Sequence, residues 1–282
     1  VSRIAYVNGR FVPHAGAAVH IEDRGFQFGD AVYEVWSVRG GVLYDRDGHF
    51  DRLERSLAEL QIHNPRSRAS LAMIIEEVLR RNRIRDGLVY LQISRGVARR
   101  DHAFPRTAIT PTLVLTAKAM NFDALAERAM TGIAVITVPD IRWQRCDIKS
   151  VNLLPNVLAK QAAVEAGAVE AWQIDGEGNV TEGSSTNAWI LTADGILVTR
   201  PADEAILKGI TRGTVLRCAE ALGYTVEERK FSVEEALAAR EAFLTSATTF
   251  VTPITRIDDQ VIANGVPGSM AQALRAAYLD VQ

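Results

Sequence analysis

The stretch "RCDIKSVNLLP", residues 145–155, holds one of only five lysines, Lys118, Lys149, Lys160, Lys208 and Lys230, in a chain with 32 lysines and arginines together. Arginine is the default cation here, so each lysine invites a reason. Lys149 follows Asp147 by two residues and precedes a helical pattern over Leu154–Ala166, with Pro155 in its first turn and Gly167 just past its end. Spacing alone leaves two readings of Lys149 open. It is half of an ion pair with Asp147, or it is an amine buried enough to be neutral part of the time and to attack a carbonyl. Lys230 in "EERKF" lies in a charged context, Lys160 falls on the surface of the helix, and Lys118 lies near a candidate linker.

N-terminal to this stretch the chain is β-rich. Ile4–Val7 and Arg10–Val12 flank Asn8-Gly9, and Ala31–Val38 and Val42–Tyr44 flank Gly40-Gly41, both hairpin signals. Phe50, Leu53, Leu57 and Leu60 recur at helical spacing, as do Leu71, Ile74, Ile75, Val78 and Leu79. Gly87–Arg95 and Thr112–Ala117 read as strands. "KAMNFDALAERAMTG" (118–132) is the candidate domain boundary, dividing residues 1–120 from 121–282. Beyond it Ile133–Val138, Ala171–Ile174, Val180–Thr181, Asn187–Leu191 and Ile196–Thr199 read as strands, and Thr211–Leu222 and Ser269–Val281 as helices. The pattern predicts a two-domain α+β protein with mixed sheets, without the regular alternation of a TIM barrel.

With 282 residues, 48% of them hydrophobic, the chain can bury a large core. A formal net charge of −2 argues against nucleic acid as the main partner. The basic cluster "RRNRIR" (80–85) reads as a solvated helix end. Cys146 and Cys218 lack disulfide or C-x-x-C spacing, and no apolar run is long enough to span a bilayer. Both features predict a reduced, cytoplasmic protein without a membrane partner. Dinucleotide and P-loop fingerprints, H-E-x-x-H and G-x-S-x-G are all missing, and five scattered histidines predict no metal site.

Six segments, in order, then narrow the chemistry: "EDRGFQFGDAVYEV" (22–35), "HFDRLERS" (49–56), "DIRWQRCDIKSVNLLPNVLAKQ" (140–161), "VTEGSSTN" (180–187), "LKGITRG" (207–213) and "LTSATTFVTPI" (244–254). Together they resemble the fold-type-IV pyridoxal-phosphate enzymes over essentially the whole chain, and among these the D-amino-acid aminotransferases most of all. The resemblance implies a small N-terminal α/β domain and a larger C-terminal mixed α/β pseudobarrel that binds pyridoxal 5′-phosphate. It also implies a homodimer whose active site is shared across the interface. The implied activity is ping-pong transamination between D-amino acids, such as D-alanine or D-glutamate, and 2-oxo acids, such as pyruvate or 2-oxoglutarate. An R-selective amine aminotransferase, a branched-chain L-amino-acid aminotransferase, an aminodeoxychorismate lyase and a non-enzymatic cofactor-binding scaffold are the alternatives.

Carried over residue by residue, Lys149 matches the lysine that forms the Schiff base with the cofactor and moves a proton on the substrate. Glu182 matches the glutamate beside the pyridine nitrogen, although alone it reads as a strand-end acid in a Gly/Ser-rich turn. Arg52, Ile210, Thr211, Ala247 and Thr248 match the phosphate-binding positions, where clustered N–H donors and positive charge suit an anion. Without the resemblance Arg52 reads as a surface ion pair with Asp51 or Glu54. Tyr33, Arg100 and His102 match the residues that hold the substrate carboxylate, the last two from the partner subunit. Asp101 is an acidic spacer between them that either weakens this site or orients Arg100. Arg99 reads as exposed loop, and Arg142, Arg145 and Asp147 as structural pairs.

Overall fold

Asn8 and Gly9 both adopt positive φ, as a tight two-residue hairpin requires, and so join strand β1 (Ile4–Val7) to β2 (Arg10–Pro13). The structure, a computed structural model, describes residues 3–282. It divides into two compact units. One runs to Asn121 and adds Ile148–Asn152; the other comprises Phe122–Asp147 and Leu153–Gln282.

The first unit continues with α1 (Arg24–Phe28), β3 (Ala31–Arg39), β4 (Val42–Leu43), α2 (Arg46–Glu59), α3 (Arg68–Asn82), β5 (Gly87–Ser94) and β6 (Thr112–Ala119). Its six-stranded sheet has the order β2-β1-β6-β5-β3-β4 and is antiparallel at every pairing. The helical apolar repeats do what their spacing predicts: Phe50, Leu53 and Leu57 of α2 and Leu71, Ile75 and Val78 of α3 are buried in one core with Trp36, Val89, Leu91 and Ile93. Each such side chain contributes about 1.5–3 kcal/mol relative to exposure. Ser67 caps α3 by accepting from Ser70 N, and Arg80 and Arg81 at its other end pair with Glu77, so the arginine cluster is a solvated helix end.

The second unit holds α4 (Phe122–Thr131), β7 (Ile133–Pro139), α5 (Leu154–Glu165), β8 (Glu170–Ile174), β9 (Val180–Gly183), β10 (Asn187–Leu191), β11 (Leu197–Thr199), α6 (Ile210–Ala221), β12 (Val226–Glu228), α7 (Val233–Leu237), β13 (Glu241–Ser246), β14 (Phe250–Ile257), β15 (Gln260–Val261) and α8 (Ser269–Asp280). Its nine-stranded sheet runs β12-β11-β10-β13-β14-β7-β8-β9, with β15 on β14. Strand β7 is parallel to both neighbours, whereas β10, β13 and β14 form an antiparallel run, so the sheet is mixed. Trp172, Ile190, Val198, Phe231, Leu244 and Ile254 fill its core.

One expectation needs correction, and two strands escape the sequence reading. The stretch read as a linker contains α4, a helix that buries only Ala129 fully although Phe122, Leu125, Ala126, Ala129 and Met130 recur at helical spacing. Its Phe122 ring stacks on Phe250, 5.7 Å away. Strands β13 and β14 do not stand out in the sequence, because a run such as Phe250–Ile254, buried throughout, does not alternate. No helix among the described residues is long and apolar enough to cross a membrane.

Candidate active site

Lys149 is placed by strand pairing. Tyr33 N donates to Lys149 O (3.0 Å), Val151 N donates to Ala31 O (3.1 Å), and Ser150 bridges Val32. The segment 148–152 therefore lies along β3, with Ile148 in the first unit's core. Lys149 N also donates to Ser56 Oγ of α2 (3.3 Å). Gly29, which ends α1 at φ 68°, lets Asn152 approach: a Cβ there would meet Asn152 Oδ1 at 2.1 Å. The lysine amine sits 4.2 Å from the centre of the Tyr33 ring, half-buried. Tyr33 stacks on Tyr90, whose hydroxyl donates to Gln92 Oε1; burial, helped by the neighbouring Tyr33, pushes the Tyr90 phenol up to about 12. Tyr90 is thus a neutral wall beside Tyr33.

Arg52 is not the surface pair expected without the resemblance. Asp51 and Glu54 go to Arg68, while Arg52 is buried and donates from Nε and Nη2 to Glu34 (2.7 and 2.9 Å). His49 Nδ1 meets the same carboxylate at 2.7 Å. Burial disfavours the Glu34 charge, but Arg52 and the hydrogen bonds outweigh it and hold the carboxyl well below the usual range. Burial also lowers His49 against the pull of Glu34, so the histidine is neutral and Arg52 supplies the positive charge.

The loop after β5 brings Arg100 and His102 to one aromatic ring. The Arg100 guanidinium lies 5.2 Å from the Phe28 centroid and the His102 ring 5.5 Å from it. Asp101 turns its carboxylate to Ala103 N (3.2 Å), closing a local turn, and Arg99 is exposed.

In the second unit Glu182, buried near the end of β9, is held by three donors. Arg142 Nη1 makes a short ion pair with Oε1, Asn187 Nδ2 donates to Oε2 (3.0 Å), and Leu207 N lies 3.2 Å from both oxygens. Arg142 also grips Asp140. Burial disfavours the Asp140 charge, but the hydrogen bonds and charge of Arg142 outweigh it and hold that carboxyl below its ordinary value. Arg145 pairs with Asp147 (2.9 Å). Burial pushes the nearby Cys146 thiol up to about 11 despite Arg142, so it is no thiolate at neutral pH.

Asn187 links Glu182 to the start of α6. Its Nδ2 also donates to Leu207 O (3.0 Å), and a Cβ on Gly209 would meet its Oδ1 at 2.0 Å. Gly209 is the N-cap of α6 and supplies no capping side chain. The first N–H groups of a helix have no intrahelical acceptor, and next to them the Thr211 hydroxyl is buried without a hydrogen-bond partner. An orphaned donor beside helix N–H groups and a positive dipole end fits a phosphate. An arginine-braced carboxylate on the same strand-to-helix path fits a protonated pyridine nitrogen. The residues present therefore fit pyridoxal phosphate. Ala247 and Thr248 occupy the turn between β13 and β14, where Ser246 Oγ lies 3.2 Å from Thr248 Oγ1 and accepts from Thr249 N. Among the described residues no cluster is arranged to hold a metal ion.

The site residues therefore fall into groups: Lys149 with Tyr33, Arg100 with His102, and Glu182 with the start of α6. Arg52 is joined to Glu34 and His49. Sequence reasoning missed Glu34, His49, Phe28 and Asn187, and gave Arg142 no contact with Glu182. Most of these contacts join residues far apart in the chain, although Phe28 and Glu34 lie inside "EDRGFQFGDAVYEV", His49 inside "HFDRLERS" and Asn187 inside "VTEGSSTN".

Residues 31–257 match the family described as amino-transferase class IV. The D-alanine aminotransferase of Bacillus licheniformis is 42% identical over 270 residues, covering 96% of this chain and 94% of that protein. That of Staphylococcus haemolyticus is 38% identical, covering 97% and 95%. The T.th. branched-chain amino acid aminotransferase with pyridoxamine 5′-phosphate superposes with a TM-score of 0.89 at 28% identity, over 99% of this chain and 94% of that one. The Escherichia coli branched-chain enzyme, at 23% identity and TM-score 0.91 over 100% and 95%, shares the fold. The chain belongs to the class IV aminotransferases.

Proposed function

We propose that the chain is a pyridoxal-5′-phosphate-dependent transaminase that moves an amino group between D-amino acids, such as D-alanine and D-glutamate, and 2-oxo acids, such as pyruvate and 2-oxoglutarate. Near-full-length similarity to D-alanine aminotransferases carries this reading. The solved branched-chain enzymes keep an L-amino-acid reading as the alternative.

The bound cofactor supplies the electron sink that stabilises negative charge at the substrate Cα. With that group bound, Lys149 would take up and give back the substrate proton, as base and then acid. The backbone pairing with β3 fixes where its stem starts, and Tyr33 walls one side of its amine. Glu182, oriented by Arg142, Asn187 and Leu207, holds the proton on the pyridine nitrogen. Ile210 and Ala247 through their N–H groups, Thr211 and Thr248 through their hydroxyls, and Arg52 take the phosphate. Glu34 and His49 fix the Arg52 guanidinium in one orientation. Tyr33, Arg100 and His102 receive the substrate carboxylate, with Arg100 and His102 reaching across a homodimer interface. The cytoplasm is the compartment that suits the two free cysteines.

The test is Arg100→Ala. KM for D-alanine should rise by about tenfold to a hundredfold, the scale of a lost charge-assisted hydrogen bond, with kcat little changed. An unchanged KM would remove Arg100 from the carboxylate site.

A further inference from the structure

Arg24 is buried and spends all three guanidinium nitrogens. Nε donates to Asp30 Oδ2 (2.7 Å), Nη1 to the Asp101 carbonyl (2.6 Å) and Nη2 to the His102 carbonyl (3.3 Å). Two of the three bonds therefore grip the main chain of the loop that carries Arg100 and His102. One helical turn on, Phe28 presents the ring against which the side chains of Arg100 and His102 pack, with Arg24 itself 4.8 Å from its centre. Asp30 is shared with Arg95, which donates to it from Nε and Nη2 (2.7 and 3.0 Å) and to the Gln61 and Leu60 carbonyls (3.0 and 2.6 Å). Arg95 also covers Phe104, 3.7 Å from its ring centre. The base of the loop is closed by Arg24 N donating to Gly96 O (2.9 Å) and Ala98 N to Glu22 O (3.3 Å).

An exposed polar loop has no core to hold its shape. Here a buried guanidinium grips its backbone at 101 and 102, and an aromatic ring lies against the side chains at 100 and 102. We infer that Arg24 and Phe28 are positioning residues for substrate recognition, which fix Arg100 and His102 in the orientation that receives a carboxylate. The inference rests on the reading that Arg100 and His102 bind the substrate carboxylate. A bidentate carboxylate contact depends on guanidinium orientation more steeply than on charge, so loosening the support should cost substrate affinity before it costs chemistry.

The experiment compares Arg24→Ala, Arg24→Lys and Phe28→Leu with Arg100→Ala as purified holoenzymes. KM and kcat for D-alanine, cofactor Kd and thermal midpoint are measured for each. Arg24→Ala leaves Asp30 paired with Arg95, so no buried carboxylate is stranded; should that variant still fail to fold, Phe28→Leu decides. Arg24→Ala and Phe28→Leu should raise KM about tenfold, with kcat within about twofold and cofactor affinity unchanged, and Arg24→Lys should fall between Arg24→Ala and wild type. If Arg100→Ala raises KM while Arg24→Ala and Phe28→Leu leave it unchanged, the inference is overturned and the carboxylate reading stands. Parallel losses in KM, kcat and cofactor affinity would mark a merely structural role and overturn it too. An unchanged KM in Arg100→Ala would remove the carboxylate reading itself, and the inference with it.

Discussion

The unit that carries Lys149 and the unit that carries Glu182 treat their buried charges differently. In the first, Glu34 is closed by Arg52 and His49, and Asp30 by Arg24 and Arg95. In each cluster the acid and its partners fix one another's orientation, which is how Arg52 is aimed for the phosphate it is proposed to take. In the second, Glu182 is braced by three donors, yet a few residues on from Leu207 the Thr211 hydroxyl is buried with no partner at a helix start that has no side-chain cap. Burying a hydroxyl without a partner costs about 1–3 kcal/mol, a cost that a bound phosphate would relieve. The contrast separates charges whose hydrogen bonds are met inside the protein from the Thr211 hydroxyl, whose hydrogen bond is not.

Removing the amine should have the largest effect. Lys149→Ala should lower kcat by at least about a thousandfold, the scale of a lost general acid–base, and abolish the visible absorbance of the bound cofactor. Wild-type turnover in that variant would end the assignment of Lys149. Thr211→Val should act more mildly and in opposite directions on the two states. Cofactor Kd should rise about tenfold, whereas the cofactor-free protein should be as stable as wild type or more so, because an unsatisfied hydroxyl is replaced by an isosteric methyl. A cofactor-free variant that melts well below wild type would mean that the hydroxyl has a structural partner.

The smallest effect lies in the Glu34 cluster. Burial makes His49 less basic in the fold than in the unfolded chain, so acidification through 6.5 favours unfolding. Glu34, whose folded value is depressed, loses its stabilising charge only at still lower pH, below its ordinary 4.5. Between pH 7.5 and 5.5 the unfolding free energy from denaturant titration should therefore fall in the wild type and fall less in His49→Gln. Identical pH slopes in the two proteins would show that His49 binds its proton as readily in the fold as in the unfolded chain.

Local signals are legible in the sequence. Asn8-Gly9 marks a hairpin, Pro155 and Gly167 bracket α5, and the Leu71–Leu79 repeat marks α3. Pairings distant in sequence are not. Nothing near Arg52 announces Glu34, eighteen residues earlier on another element, and nothing near Lys149 announces that its segment pairs with β3. The buried strands β13 and β14 lack alternation, whereas α4 is legible: Phe122, Leu125, Ala126, Ala129 and Met130 recur at helical spacing within the stretch read as a linker. Lys149 itself is ambiguous by spacing and becomes informative only beside five other motifs in order. Glu182 shows the same limit, since its main brace, Arg142, lies forty residues away.

Transamination of D-amino acids can be measured by supplying purified enzyme and pyridoxal phosphate with 2-oxoglutarate and either D- or L-alanine, and following pyruvate. Pyruvate should form steadily from D-alanine, with kcat/KM at least about a hundredfold above that for L-alanine. Equal rates on the two enantiomers, or a preference for L-alanine, would contradict it.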